Sequence, residues 1–91
     1  MTKFLSGLKT QLISHPEVLI IYSDENINIV NQYKWEEYIF DCDVNTWTIQ
    51  WGDTELTINV CEVVNVSYDE DEDTYELKFA NGETISISIL N

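Results

Sequence analysis

The apolar positions of the chain change period once. Phe4, Leu5, Leu8, Leu12 and Ile13 recur at helical spacing, with Lys3, Lys9 and Gln11 falling elsewhere, which predicts a helix over residues 1–14. Thr2 is placed to cap it. The Ser14-His15-Pro16 step is placed to stop it, because the residue before a proline avoids the helical region. From Val18 onward the period is two. Val18, Ile20 and Tyr22 alternate with Leu19 and Ile21; Ile27 and Ile29 follow, then Tyr38, Phe40 and Cys42, then Trp47, Ile49 and Trp51. The pattern goes on through Leu56, Ile58 and Val60, through Val64, Val66 and Tyr68, through Tyr75, Leu77 and Phe79, and through Ile85, Ile87 and Ile89. The residues between them are mostly Thr, Ser, Asn, Gln, Glu and Lys, the alternation of half-buried strands. Only Asn31–Glu37 fits a strand, a turn or a helical turn equally well.

Register follows from turn chemistry, because a slip of one residue inverts every side chain of a strand. A two-residue turn at Gly52-Asp53, with glycine first as a II′ turn asks, sets Ile49 opposite Leu56 and Trp47 opposite Ile58. A loop at Asp69–Thr74 sets Tyr68 opposite Tyr75, Val66 opposite Leu77 and Val64 opposite Phe79. A loop at Asp43–Thr46 sets Cys42 opposite Trp47, Phe40 opposite Ile49 and Tyr38 opposite Trp51. A loop at Ser23–Asn26 sets Tyr22 opposite Ile27 and Ile20 opposite Ile29. At Asn81-Gly82 a two-residue turn would mix faces. A three-residue loop, Ala80-Asn81-Gly82, with a left-handed glycine in a bulge, sets Leu77 opposite Ile85 and Tyr75 opposite Ile87. The expected fold is therefore α+β: one domain over residues 1–91, with the helix packed on a strongly bent antiparallel meander over 17–91. Six to eight strands are expected, in a sheet that forms a partly open barrel.

Charge changes the functional picture more than the structural one. Seventeen acids face four bases, all of them lysines (Lys3, Lys9, Lys34 and Lys78), for a formal charge of −13. Proteins that bind nucleic acids neutralise phosphates with Lys and Arg, so direct binding to DNA, RNA or anionic lipid is excluded. The same field draws in basic surfaces and speeds association with them in a salt-dependent way. Residues 1–16 carry no acid at all. In a meander the hairpin tips alternate between the sheet's ends. One end would then collect Glu36, Glu37, Asp53, Glu55 and the run Asp69, Glu70, Asp71, Glu72, Asp73. The other would collect Asp24, Glu25, Asp41, Asp43, Glu62 and Glu83.

Candidate chemistry is sparse. Counted from Asp69 as an EF-hand loop, the sixth position is Thr74 and the twelfth Ala80, where glycine and glutamate are required, so the run is no calcium loop. His15, the one histidine, reads as a cap at a helix end. With Cys42 and Cys61 it would make only a dispersed three-ligand set without a C-x-x-C pair, which argues against zinc. Cys42 falls on the inner face and Cys61 on the opposite parity, so free thiols are expected. Without a secretory signal or a membrane-length apolar run, a reduced cytoplasmic setting is expected. Trp47, Trp51, Tyr68 and Tyr75 read as core and cross-strand partners, leaving Trp35 and Tyr33 as contact residues. No constellation of nucleophile, base and orienting group stands out, so neither an enzyme nor a cofactor is expected.

Size, the absence of arginine and the run DEDED at 69–73 together resemble the small acidic inhibitors of phages and mobile elements, including anti-CRISPR and anti-restriction proteins that mimic DNA. The resemblance implies carboxylates that imitate a phosphate track and occupy the basic groove of a nuclease or other nucleic-acid-binding protein. It places the contacts at Asp69, Glu70, Asp71, Glu72 and Asp73, helped by Asp53, Glu55, Glu36 and Glu37, with Trp35 as anchor, and it puts the protein in a host cytoplasm. An immunity or antitoxin-type protein plugging a basic toxin would use the same physics with another partner, whereas in a small structural or assembly protein the edge strands would pair with copies of itself and the acidity would serve only solubility.

Overall fold

In a computed structural model the described residues are 2–14, 16–24, 29–35 and 37–90, with the side chains of Thr2 and 29–35 set aside. Helix α1 spans Thr2–Ile13. Leu8 and Leu12 are fully buried and Phe4 and Leu5 half-buried, so packing holds a segment too short to persist alone. Each of the two leucines contributes roughly 1.5–3 kcal/mol by burial. Thr2 is the first helical residue and not the one ahead of it, and Ile13 lies off the stripe at 55% exposure. The last turn closes with the Ser14 amide donating to the Gln11 carbonyl at 3.0 Å. His15, and with it the role expected of it, lies outside the described residues.

Among the described residues eight strands follow: β1 (Val18–Asp24), β2 (Ile29–Trp35), β3 (Ile39–Cys42), β4 (Thr46–Trp51), β5 (Thr54–Asn59), β6 (Val63–Asp69), β7 (Thr74–Phe79) and β8 (Glu83–Ile89). A 3-10 turn, Val60–Glu62, joins β5 to β6. They make two antiparallel sheets, ordered β2-β1-β8-β7-β6 and β3-β4-β5, and not one bent meander. Neither sheet closes into a barrel. The hairpins expected at 43–46, 52–53, 69–74 and 80–82 are there, and β1 pairs with β2, but Ser23 and Asp24 of the expected 23–26 loop belong to β1, β1 takes β8 as its second neighbour, and the turn at 60–62 breaks the ladder between β5 and β6. The apolar faces of both sheets and the stripe of α1 share one core, centred on Leu8, Ile20, Ile49, Ile58, Leu77 and Ile87.

Local register agrees with the turns in most places. Ile49 pairs with Leu56 and Trp47 with Ile58, with positive φ at Gly52 (56°) but not at Asp53, as a II′ turn demands. Leu77 pairs with Ile85 and Tyr75 with Ile87 across a loop whose Gly82 has φ of 93°. Tyr68 pairs with Tyr75, Val66 with Leu77, Cys42 with Trp47, and Phe40 with Ile49.

Four placements differ. A bulge between Val63 and Asn65 puts Val63 opposite Phe79 and turns Val64 outward, 61% exposed. β3 begins at Ile39, so Tyr38 does not face Trp51. Tyr38 is instead buried with its hydroxyl donating to the Pro16 carbonyl at 2.7 Å, while Trp51 ends β4 at 44% exposure. Ile20 faces Tyr33, and Ile29 faces Asp24, a register four residues from the expected one. Such a shift keeps every side chain on its face, so alternation alone does not detect it. The Ile27 of the expected pairing lies outside the described residues. Cys42, expected inside, is exposed because it sits on edge strand β3 beside the turn; Cys61 is exposed too, and both thiols are free. The ambiguous 31–37 stretch is strand up to Trp35, and no helix among the described residues is long and apolar enough to cross a membrane.

Candidate functional site

The acidic run at 69–73 is a built turn. Asp69 accepts from the amides of Asp71 (3.0 Å) and Glu72 (3.4 Å) through Oδ1, folding the chain back on itself. Asp73 takes φ of 49°, a left-handed conformation that aspartate tolerates better than most residues, and its Oδ1 accepts from the Tyr68 hydroxyl at 2.7 Å. That hydrogen bond, then burial, pushes the Tyr68 phenol up to about 12. Thr74 completes the turn, its hydroxyl bonding to the Glu72 carbonyl (3.1 Å) and to the Ser88 hydroxyl (2.8 Å). Two of the five acids thus shape the turn, Asp69 through its Oδ1 and Asp73 through its Oδ1. Glu70, Asp71 and Glu72 are left exposed on a braced support.

The last residues of β8 connect this turn to more acid. The Ile89 amide donates to the Asp73 carbonyl and the next amide, Leu90, to the Glu17 carbonyl, both at 2.9 Å. Glu17 therefore stands at the same end of the five-stranded sheet, a residue that sequence reading missed because it precedes β1 and only the β1–β8 pairing brings it there. Trp35 reaches this end too, opposite Val18, which also faces Ile89; the Trp35 side chain lies outside the described residues. Glu37 is exposed just before Tyr38, whose hydroxyl is tied to Pro16. Glu36 lies outside the described residues. Asp53 and Glu55 are exposed, but they belong to the three-stranded sheet, Asp53 in its β4–β5 turn and Glu55 opposite Gln50, and none of the hydrogen bonds described joins them to the 69–73 turn.

At the other end Asp24 faces Glu83 directly, a like-charged cross-strand pair. The Tyr22 phenol is raised there, by burial first and then by its hydrogen bond to Glu83. The 43–45 turn reaches this end through two bonds, Val60 amide to Asn45 carbonyl (2.8 Å) and Ala80 amide to Glu62 carbonyl (3.1 Å). Asp43 resembles Asp69. Its Oδ1 accepts from the amides of Asn45 (2.9 Å) and Thr46 (2.8 Å), and these bonds hold its carboxyl below the ordinary range.

The outer face of the five-stranded sheet is polar and uncovered by α1 or the smaller sheet. It carries a depression of about 370 Å³ lined by Ile21, Ser67, Asp69, Glu72, Thr74, Glu76, Ser86 and Ser88. Lys78, on this face, reaches Glu76 only at 3.9 Å with both side chains about half exposed. Among the described residues no group of three His, Cys, Asp or Glu side chains is placed to hold a metal ion. No family model, no curated protein and no solved structure matches the chain.

Proposed function

We infer that this protein is a non-enzymatic acidic binding protein that inhibits a basic nucleic-acid-binding protein or nuclease by occupying the surface that would otherwise hold phosphates. The observation that supports it is the braced turn at 69–73. Charge kept only for solubility needs no fixed geometry, whereas here Asp69, Asp73 and Tyr68 brace the backbone that carries Glu70, Asp71 and Glu72. Ordering that backbone in advance lowers the entropy lost when it meets a partner. The total charge of −13 without one arginine supplies long-range attraction to a cationic groove.

The test is displacement of a fluorescently labelled DNA duplex from a basic nuclease. The protein should compete, and its affinity should fall steeply as salt rises from about 0.05 M to about 0.3 M. The variant to set beside it is Glu70→Gln, Asp71→Asn and Glu72→Gln, which removes three charges and leaves the turn's own hydrogen bonds intact. Competition that is insensitive to salt, or no competition at any salt, overturns the reading.

A further inference from the structure

The uncovered face of the five-stranded sheet narrows the partner further, on the footing of the function proposed above. Cross-strand register arranges it in two parallel rows. One runs Ile21, Ser86, Glu76, Ser67; the next runs Leu19, Ser88, Thr74, Asp69. Each row passes from an aliphatic side chain on β1, over a short serine on β8, to a carboxylate on β7 or β6. The central serines are the lowest side chains, so the face is a trough with a hydroxyl floor, one greasy wall and one acidic wall, which is where the 370 Å³ depression lies.

In the first row the carboxylate stands two strand spacings from the aliphatic side chain, roughly 10 Å, and in the second three, roughly 14 Å; the two rows are two residues apart, roughly 7 Å. An arginine laid across one row would cover its stem on the aliphatic wall and bring its planar fork to the carboxylate, with serine hydroxyls accepting beneath it. In an extended segment, side chains on the same side recur every second residue, again about 7 Å apart. The geometry points to a single occupant: an extended segment of a basic partner protein carrying arginines at alternate positions, one over each row. The Lys78 contact to Glu76 is long and half exposed, so an incoming guanidinium displaces it readily. A second copy of this chain is disfavoured as occupant, since each copy brings a charge of −13.

The experiment is an amide NMR titration of the whole protein with two capped peptides of equal composition, Val-Arg-Val-Arg-Val and Val-Val-Arg-Arg-Val. The alternating peptide should bind about tenfold more tightly, with shifts centred on Thr74, Glu76, Ser86 and Ser88. Ser86→Phe fills the floor without changing charge and should cost about tenfold or more, and Glu76→Gln, of nearly the same shape, should weaken binding as well. Asp41→Asn with Glu62→Gln, two exposed acids on β3 and in the 60–62 turn that do not line the trough, should stay within about threefold of the parent. Equal binding of the two peptides, shifts centred on residues 70–72, or indifference to both Ser86→Phe and Glu76→Gln overturns the trough. If those results come while the parent still displaces DNA from a basic nuclease, the trough alone falls; if displacement fails as well, the function proposed above falls with it.

Discussion

At the scale of single residues, the acids divide by what they touch. Asp43, Asp69 and Asp73 accept hydrogen bonds that shape turns, while Glu70, Asp71 and Glu72 are exposed. Asp43, held below the ordinary carboxylate range by the Asn45 and Thr46 amides, adds stability above that range and loses it as pH falls through its lowered value. Asp43→Asn should therefore flatten the acid limb of a stability-against-pH curve relative to the parent, read by urea unfolding. The tyrosines set the alkaline limb. Burial pushes Tyr38 up to about 12, and the Asp73 hydrogen bond does the same for Tyr68, from an ordinary 10.0. Their contribution is complete below pH 10.0 and is lost as pH climbs towards about 12. Circular dichroism should show the parent unfolding in that window, and Tyr38→Phe should hold its fold to higher pH. The turn carboxylates were legible as chemistry, since aspartate two residues ahead of a bend is a known turn former. Reading the run only as charge concealed that two of its members are structural.

At the scale of elements, hairpins were legible and their assembly was not. Glycine at 52 and 82 fixes two turns through φ values of 56° and 93°, and alternation then dictates which residues oppose each other. No such local rule selects the second neighbour of β1, because any strand with one apolar face would satisfy it. The bulge in β6 was hidden because Val63 and Val64 are both apolar, and only packing decides which turns inward. The helix offers a sharp test. A Cβ on Gly7 would sit 3.2 Å from the Tyr75 hydroxyl, whose ring lies 4.5 Å from that of Tyr68. Gly7→Ala gains up to about 1 kcal/mol of helix propensity but presses on that hydroxyl. In a Tyr75→Phe background the pressure is gone, so the substitution should stabilise more there, with a coupling on the order of 0.5 kcal/mol in a double-mutant cycle. Leu12→Ala, which empties a fully buried site between helix and sheet, should cost about 2–5 kcal/mol by urea unfolding.

At the scale of the whole molecule, salt should act in opposite directions on folding and on binding. Seventeen acids against four bases repel one another in the folded chain, and screening relieves that repulsion. The melting temperature should rise with added sodium chloride over the range in which affinity for a basic partner falls. Parallel trends in calorimetry and binding would mean that long-range charge governs only one of the two. The pairing of β1 with β8 carries a different consequence, in the order of synthesis. Val18 faces Ile89, so a strand made early at the ribosome must wait for one made some 70 residues later, several seconds at roughly 5–20 residues per second. Until Glu83–Ile89 emerges, β1 shows an open edge on the side away from β2, and β7 shows one on the side away from β6. A nascent chain paused in that interval is at its stickiest, and a strand from a neighbouring ribosome can take the place reserved for β8.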